Sequence, residues 1–328
     1  MPYKKTILSG IQPSGKLHIG NYLGVIQSYQ KLQHTHQCFF LIADLHSLTE
    51  SFDPDQKRQD VMDLALDLLA SGLNPKKATI FRQSDVPAHS ELTWIFNCLT
   101  PMGQLERMIQ YKEKIAEQKS NVNAGLVTYP VMQAADILLY RPDAVPIGKD
   151  QEQHLEMARQ VVRTFNHRFK YYFKEVDSMF TETPKVMSLL DPSKKMSKSA
   201  GEGHVINMSD EPEVIKKKLA KAVTGSGPGK EKSAGVANLF VLLESFADKA
   251  LVEKFEKEHA RDTIQYSELK TKLATAISDH FVDFRKTRKA LSKNPTKVKK
   301  ILTQGAKKAS KVANETLAEV KKRVGLNI

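Results

Sequence analysis

Cysteine is scarce in this chain, with only Cys38 and Cys98 among 328 residues. The two lie far apart, each in an apolar stretch, and neither belongs to a Cys-x-x-Cys pair or a Cys/His cluster. That pattern excludes a disulfide framework and a zinc site of the usual spacing, and both thiols are expected to be reduced core residues. Long apolar runs are missing too: nothing approaches the roughly 20 residues that cross a bilayer. The start of the sequence has no charged segment leading into an apolar one and a small-residue cleavage site. A soluble, cytoplasmic protein without a membrane partner is therefore expected. Absent as well are GxGxxG, HExxH and GxSxG, so dinucleotide oxidoreduction, zinc proteolysis and serine hydrolysis lack their signatures. The run from Gly225 to Lys230 superficially resembles a phosphate-binding loop, but its spacing is wrong and no strand precedes it.

Acidic residues are in deficit. Lys and Arg total 50 against 37 Asp and Glu, a net charge of +13, which favours a polyanionic partner. The excess gathers at the end: from Arg285 to Ile328, Glu315 and Glu319 are the only acids. Such a tail can follow a phosphate backbone, or it can be the solvated face of a helix. At 41% hydrophobic, the chain can still bury a sizeable core in two domains or one large domain with an appendage.

The first half alternates short β-branched or aromatic runs with helical patterns, as a parallel sheet wrapped by helices requires. Strands are predicted over 6–9, 37–43, 78–83 and 144–147. Helices are predicted over 18–33, 56–71, 90–99, 103–118, 128–140 and 150–166, several opened by Asp, Ser or Thr. The reading is a doubly wound α/β domain. After about Pro184 only helices are expected, with a Gly-, Ser- and Lys-rich loop over 224–235. The last helix, about 296–328, is a candidate to fold back onto the first domain.

Two segments carry the chemistry. The first runs Gly10-Ile11-Gln12-Pro13-Ser14-Gly15-Lys16-Leu17-His18-Ile19-Gly20-Asn21, after the first strand and into a helix, where open α/β sheets bind nucleotides. Gly20 allows close approach to the backbone, the amides opening the helix face phosphate oxygens, and His18 can add a donor. By itself it could also be an ordinary turn with His18 as a surface cap. The second is Lys194-Lys195-Met196-Ser197-Lys198-Ser199-Ala200-Gly201, a flexible, cationic loop able to close over a triphosphate, or a basic linker.

Together, His-Ile-Gly-Asn and Lys-Met-Ser-Lys-Ser, in this order on these elements, resemble the two hallmark motifs of class I aminoacyl-tRNA synthetases. The resemblance implies a Rossmann-like catalytic domain over 1–190, then a helical anticodon-binding domain over 191–295 that opens with the basic loop. It implies Gln12, Pro13, Ser14, Gly20 and Asn21 around ATP, Gly148, Lys149 and Asp150 at the ribose, and Val186 beside adenine. Lys195, Met196, Ser197, Lys198 and Ser199 would form a mobile phosphate loop, with His18, Lys195 and Lys198 sharing the charge that develops on the triphosphate.

The amino acid is read elsewhere. In Thr128-Tyr129-Pro130-Val131-Met132-Gln133-Ala134-Ala135-Asp136, helical spacing puts Tyr129, Gln133 and Asp136 on one face. A carboxylate among alanines and leucines is costly to bury unpaired, so Asp136 needs a donor: a ligand N–H, a local network or Arg141. This stretch, followed by Val145-Pro146-Ile147-Gly148-Lys149-Asp150-Gln151-Glu152-Gln153-His154, resembles the bacterial-type tryptophanyl-tRNA synthetases, and the similarity covers nearly all of the first domain. It implies Asp136 as acceptor of an indole N–H, Tyr129, Gln133 and Gln151 nearby, and Leu8, His46, Val145 and Ile147 lining the pocket. A hydrogen-bonded indole site can reject smaller aromatics by roughly 10⁴–10⁵-fold, so no editing domain is needed. Gln133 departs from the methionine of many relatives and also suits the tyrosyl cousins. Leu8 argues against them, standing where a phenol would be wanted. A non-catalytic paralogue is the other alternative, against which His18, Lys195 and Lys198 all stand intact.

What the resemblance implies is an ATP-dependent ligase: tryptophan and ATP give tryptophanyl adenylate and pyrophosphate, then tRNA(Trp) takes the aminoacyl group. Lys114 matches a phosphate-contacting position, or belongs to a charge-laced surface helix. Mg²⁺ is expected on the ATP substrate rather than in a protein cage, with no dedicated metal ligands. A homodimer is expected, with the apolar region around residues 94–99 as a candidate contact or an ordinary core segment.

Overall fold

The computed structural model describes residues 4–108, 123–148, 151–180, 184–225 and 231–326. Five strands form one parallel sheet: β1 Thr6–Ile11, β2 Gln37–Ile42, β3 Ala78–Arg82, β4 Ala144–Ile147 and β5 Asp177–Phe180, in the order β3-β2-β1-β4-β5. Register is set by Thr6 opposite Gln37 on one side of β1 and Ile7 opposite Ala144 on the other. Because both faces are covered, β2 is apolar and buried from Cys38 through Ile42 rather than alternating. The chain winds outward to β3 on one side of β1, then returns to place β4 on the other. That reversal opens a crevice at the carboxyl ends of β1 and β4.

Period-two geometry sends neighbouring strand residues to opposite cores. Ile7, Phe40 and Ile80 face one cluster, while Leu8, Phe39 and Phe81 face the other. The first core is covered by α1 Gln27–Thr35 and α2 Pro54–Ala70. It continues without a break through Val186, Met196, Leu219 and Leu243 to Leu302. The second is covered by α3 Ala88–Asn97, the short α4 Met102–Glu106, α5 Ala124–Leu139 and α6 Glu152–Phe169. Caps start the helices where the sequence supplies them: Asp53 accepts the amides of Asp55 and Gln56 ahead of α2, and Asn123 accepts that of Leu126 in α5.

The second half is helical: α7 Pro212–Ala220, α8 Ala234–Phe246, α9 Lys249–Ala260, α10 Tyr266–His280, α11 Val282–Ser292 and α12 Pro295–Arg323. α12 returns to the sheet. Gly305 crosses β3 so closely that a Cβ there would lie 1.8 Å from the Ile80 carbonyl oxygen, and Ala306, Ala309, Ala313, Leu317 and Val320 complete the second core. Its end is tied down by the Lys321–Glu91 ion pair and by Arg323, which donates to the carbonyls of Phe169, Lys170 and Tyr171.

Four sequence expectations need correction. β5 was not foreseen; its four residues, Asp177-Ser-Met-Phe180, gain their order from pairing with β4. Cys98 is not a core residue: it caps the end of α3 and is exposed, while Cys38 is buried in β2. The region after Pro184 is not purely helical, since Met187 and Lys195 form an antiparallel bridge. The helix expected over 103–118 is seen as α4, and 109–118 lies outside the described residues; so does 226–230 of the expected loop, beyond which α8 begins at Ala234.

Candidate active site

The crevice at the β1/β4 switch point holds a cavity of about 520 Å³. Leu8, Ser9, Gly10 and Ile11 of β1, with Gln12 and Ser14 beyond it, form one wall; Val145, Pro146, Ile147 and Gly148 of β4 form the other. Tyr129, Gln133, Asp136 and Ile137 project from α5, one helical turn apart, while His46, Thr49, Gln151 and His154 close the sides. Tyr129 is oriented by its hydroxyl meeting His154 Nε2 at 3.1 Å.

Asp136 is 3% exposed, deep in this cavity. Three donors hold its carboxylate: Gln83 Nε2 spans both oxygens at 2.7 and 2.9 Å, His89 Nδ1 meets Oδ1 at 2.6 Å, and His46 Nε2 meets Oδ2 at 2.7 Å. Burial works against ionisation, but the His89 and His46 rings outweigh it and hold the carboxyl well below the usual range. The local-network alternative is thus the one realised; Arg141, exposed at a φ of 44°, is not among these partners. A carboxylate has about four acceptor positions, and these four contacts use them, so a ligand N–H would have to share or displace one; His46 is the donor that also lines the cavity.

At the other end of the cavity the chain turns from β1 into a helix. His18 caps Ile19–Asn21: its Nδ1 accepts the Asn21 amide, and Asn21 Oδ1 accepts the His18 amide at 3.1 Å. Glycine is required at position 20 because a Cβ there would lie 2.9 Å from that imidazole nitrogen. The helix widens into a π-helical turn over Tyr22–Ile26 before α1. Burial, then the charges of Lys198 and Lys195, lower the His18 pKa to about 4, so the ring is neutral at physiological pH.

The basic loop lies over this turn. Met196 is buried, its amide donating to the Val186 carbonyl at 3.0 Å, which anchors the loop between two lysines. Lys198 Nζ donates to the Ser14 carbonyl at 3.1 Å, bringing a cation to the cavity rim. Burial lowers its pKa, partly offset by Asp67 and Asp60. Lys195 is exposed on the same loop, and Ser197 and Ser199 share a hydrogen bond. Among the described residues, no three His, Cys, Asp or Glu side chains converge as a metal site would require.

The family model for "tRNA synthetases class I (W and Y)" matches residues 3–286. The chain belongs to this class I synthetase family. A Clostridium tetani tryptophan–tRNA ligase is 42% identical, covering 98% of this chain and 96% of its own. One from Caldanaerobacter subterraneus is also 42% identical, at 98% of each chain. The Campylobacter jejuni tryptophanyl-tRNA synthetase, solved with ADP and tryptophan, superposes with a TM-score of 0.87 at 34% identity, covering 98% of this chain and 100% of that one.

In this class I synthetase the fold gathers Leu8, Gln12, Ser14, Asn21, His46, Tyr129, Gln133, Asp136, Val145, Ile147, Gly148 and Gln151 around one cavity. Pro13, His18 and Gly20 lie in the turn behind it, and Val186 and Met196 lie beneath the basic loop. Lys114, Lys149 and Asp150 lie outside the described residues. Sequence reasoning gave no role to Gln83 and His89, which come from β3's end and α3 to reach Asp136. A histidine just behind Pro87 was the available signal, but only the tertiary fold reveals its burial and its partner.

Proposed function

We propose that the chain activates L-tryptophan with ATP, giving tryptophanyl adenylate and pyrophosphate, and then transfers tryptophan to the 3′ end of tRNA(Trp). The observation that carries this reading is the ionised Asp136 carboxylate, buried in the cavity that Leu8, Val145 and Ile147 also line, with His46 as its one donor on the cavity wall. An indole N–H would share or take over the His46 contact while its ring fills the apolar walls; phenylalanine would leave a void and offer no donor. Tyr129 and Gln151, which line the same cavity, would meet the ammonium of this ligand, with Gln133 alongside.

The reaction needs placement and charge stabilisation rather than a covalent intermediate. The substrate carboxylate attacks the α-phosphorus, a phosphoanhydride bond breaks, and pyrophosphate leaves. Gln12, Pro13, Ser14, Gly20 and Asn21 would frame the nucleotide at the switch point, Gly148 and the neighbouring Lys149 and Asp150 its ribose, and Val186 its base. Neutral His18 would donate without repelling Lys195 and Lys198, which take up charge on the departing phosphates together with Lys114. Mg²⁺ would arrive on ATP through phosphate oxygens and water.

The lysines of the helical half suit the tRNA backbone. Trp94, 71% exposed, suits a homodimer contact, and we place the protein in the cytoplasm; no helix among the described residues is long and apolar enough to cross a membrane. The test is ATP–pyrophosphate exchange with each of the twenty amino acids on wild type and Asp136→Ala. Exchange with tryptophan alone, lost or broadened in the variant, is expected; exchange driven by tyrosine, or none, overturns the assignment.

A further inference from the structure

We propose that His89 is a positioning residue for selection of the amino acid, acting through Asp136 from behind the cavity; this rests on the reading of that cavity as the tryptophan pocket. The carboxylate has two kinds of donor. His46 lines the cavity and meets Oδ2. His89 and Gln83, both fully buried, do not line it and approach from the far side. A ligand can therefore exchange with or sit beside the His46 contact, whereas the His89 contact persists whether the cavity is filled or empty.

His89 is itself fixed. Its Nδ1 stands 2.6 Å from Asp136 Oδ1 and its Nε2 stands 2.9 Å from the Tyr140 hydroxyl. An ionised carboxylate can only accept, so Nδ1 donates, and in the neutral ring Nε2 is then left to accept the phenol proton. Tyr140 follows α5 by one turn from Asp136 and packs against Phe39 and Phe81, which also borders His89. The result is a dry relay from Tyr140 through His89 to Asp136, in which the phenol selects the tautomer that the carboxylate needs. It holds the carboxyl group's rotation so that Oδ2, the oxygen His46 meets, stays turned toward the ligand. Without His89, Asp136 is freed to turn or to take up a proton, and either change removes the acceptor that distinguishes an indole from other rings.

The test measures exchange kinetics on the full chain for wild type, His89→Leu, His89→Asn and Tyr140→Phe, varying tryptophan and ATP separately. Loss of a buried partner should raise the tryptophan KM of His89→Leu by about tenfold or more while the ATP KM stays within about twofold. The asparagine amide nitrogen stands where Nδ1 does, so His89→Asn recovers most of the loss. Tyr140→Phe shows a smaller rise, about threefold, because only the tautomer is released. The tryptophan KM of His89→Leu should also climb as pH falls from about 7 to about 5, where wild type stays flat, since the unsupported carboxyl protonates more easily. Tryptophan KM values within about twofold of wild type in both His89→Leu and Tyr140→Phe overturn the proposal. Should His89→Leu fail to fold, Tyr140→Phe decides by the same criterion. A wild-type enzyme that shows no tryptophan-dependent exchange overturns the pocket reading first, and this inference with it.

Discussion

Arg288 and Asp67 form an ion pair, Nε to Oδ1 at 2.6 Å, and the other oxygen of that carboxylate accepts the Leu17 amide at 2.9 Å. Arg288 belongs to α11, Asp67 to α2, and Leu17 immediately precedes His18. One side chain of the helical half thereby holds the start of the nucleotide turn through a single intermediary. Asp67 is 1% exposed, and burial raises its pKa despite Arg288. Removing the cation strands an almost fully buried carboxylate, which costs about 3 kcal/mol or more. Arg288→Met should lower the urea midpoint accordingly and raise the ATP KM more than the tryptophan KM. Unchanged stability would mean that the Leu17 amide suffices to hold Asp67.

Acid should weaken the nucleotide turn through His18. Its pKa is lowered from 6.5 to about 4 in the folded chain, by burial first and then by Lys198 and Lys195. Between those values the unfolded chain holds a proton that the native chain does not, so stability rises with pH across the window and is lost as pH falls through it. Melting temperatures taken from pH 4 to 6.5 should climb less steeply for His18→Gln than for wild type. Equal slopes would assign the acid sensitivity to other groups.

The turn after β1 and the cavity face of α5 were legible in the sequence because each depends on local order, whereas Leu8, His46, Val145 and Ile147 were expected there only from the resemblance. β1 ends in a Gly/Pro turn, and Tyr129, Gln133 and Asp136 share a helix face whatever surrounds them. What holds Asp136 was not legible: Gln83, His89 and His46 are brought together from three segments 47 to 90 residues away. β5 escaped because Asp177-Ser-Met-Phe180 has no β-branched residue and is ordered by its neighbour rather than by its own pattern. Cys98 misled because it follows the apolar Trp94-Ile95-Phe96, yet lies where α3 ends and the chain meets solvent.

Gly305 shows how a generally favourable substitution should reverse its sign. In a free helix, Gly→Ala stabilises by about 1 kcal/mol. Here the new methyl would lie 1.8 Å from the Ile80 carbonyl oxygen, and backbone cannot rotate aside as a side chain can. α12 must lift from β3, loosening Ala306 and Ala309 from the second core. Gly305→Ala is expected to destabilise the chain by about 1–3 kcal/mol, seen as a lower urea midpoint and faster hydrogen exchange in β3. A stabilised variant would mean that α12 does not approach the sheet this closely in solution.

Lys198 offers the clearest separation of binding from chemistry. Its Nζ reaches the Ser14 carbonyl at the cavity rim, and burial already lowers its pKa, so the ammonium is a poorly solvated charge held near where pyrophosphate would depart. Charge placed before reaction stabilises the transition state more than the bound substrates. Lys198→Ala should therefore lower kcat for exchange by about 10²–10³-fold while leaving the tryptophan KM nearly unchanged, because the Asp136 pocket is untouched. Arginine should not restore full activity, since a planar fork cannot take the compact position of an ammonium beside Ser14. A loss confined to the ATP KM would instead make Lys198 a substrate anchor, leaving Lys195 as the residue that answers the developing charge.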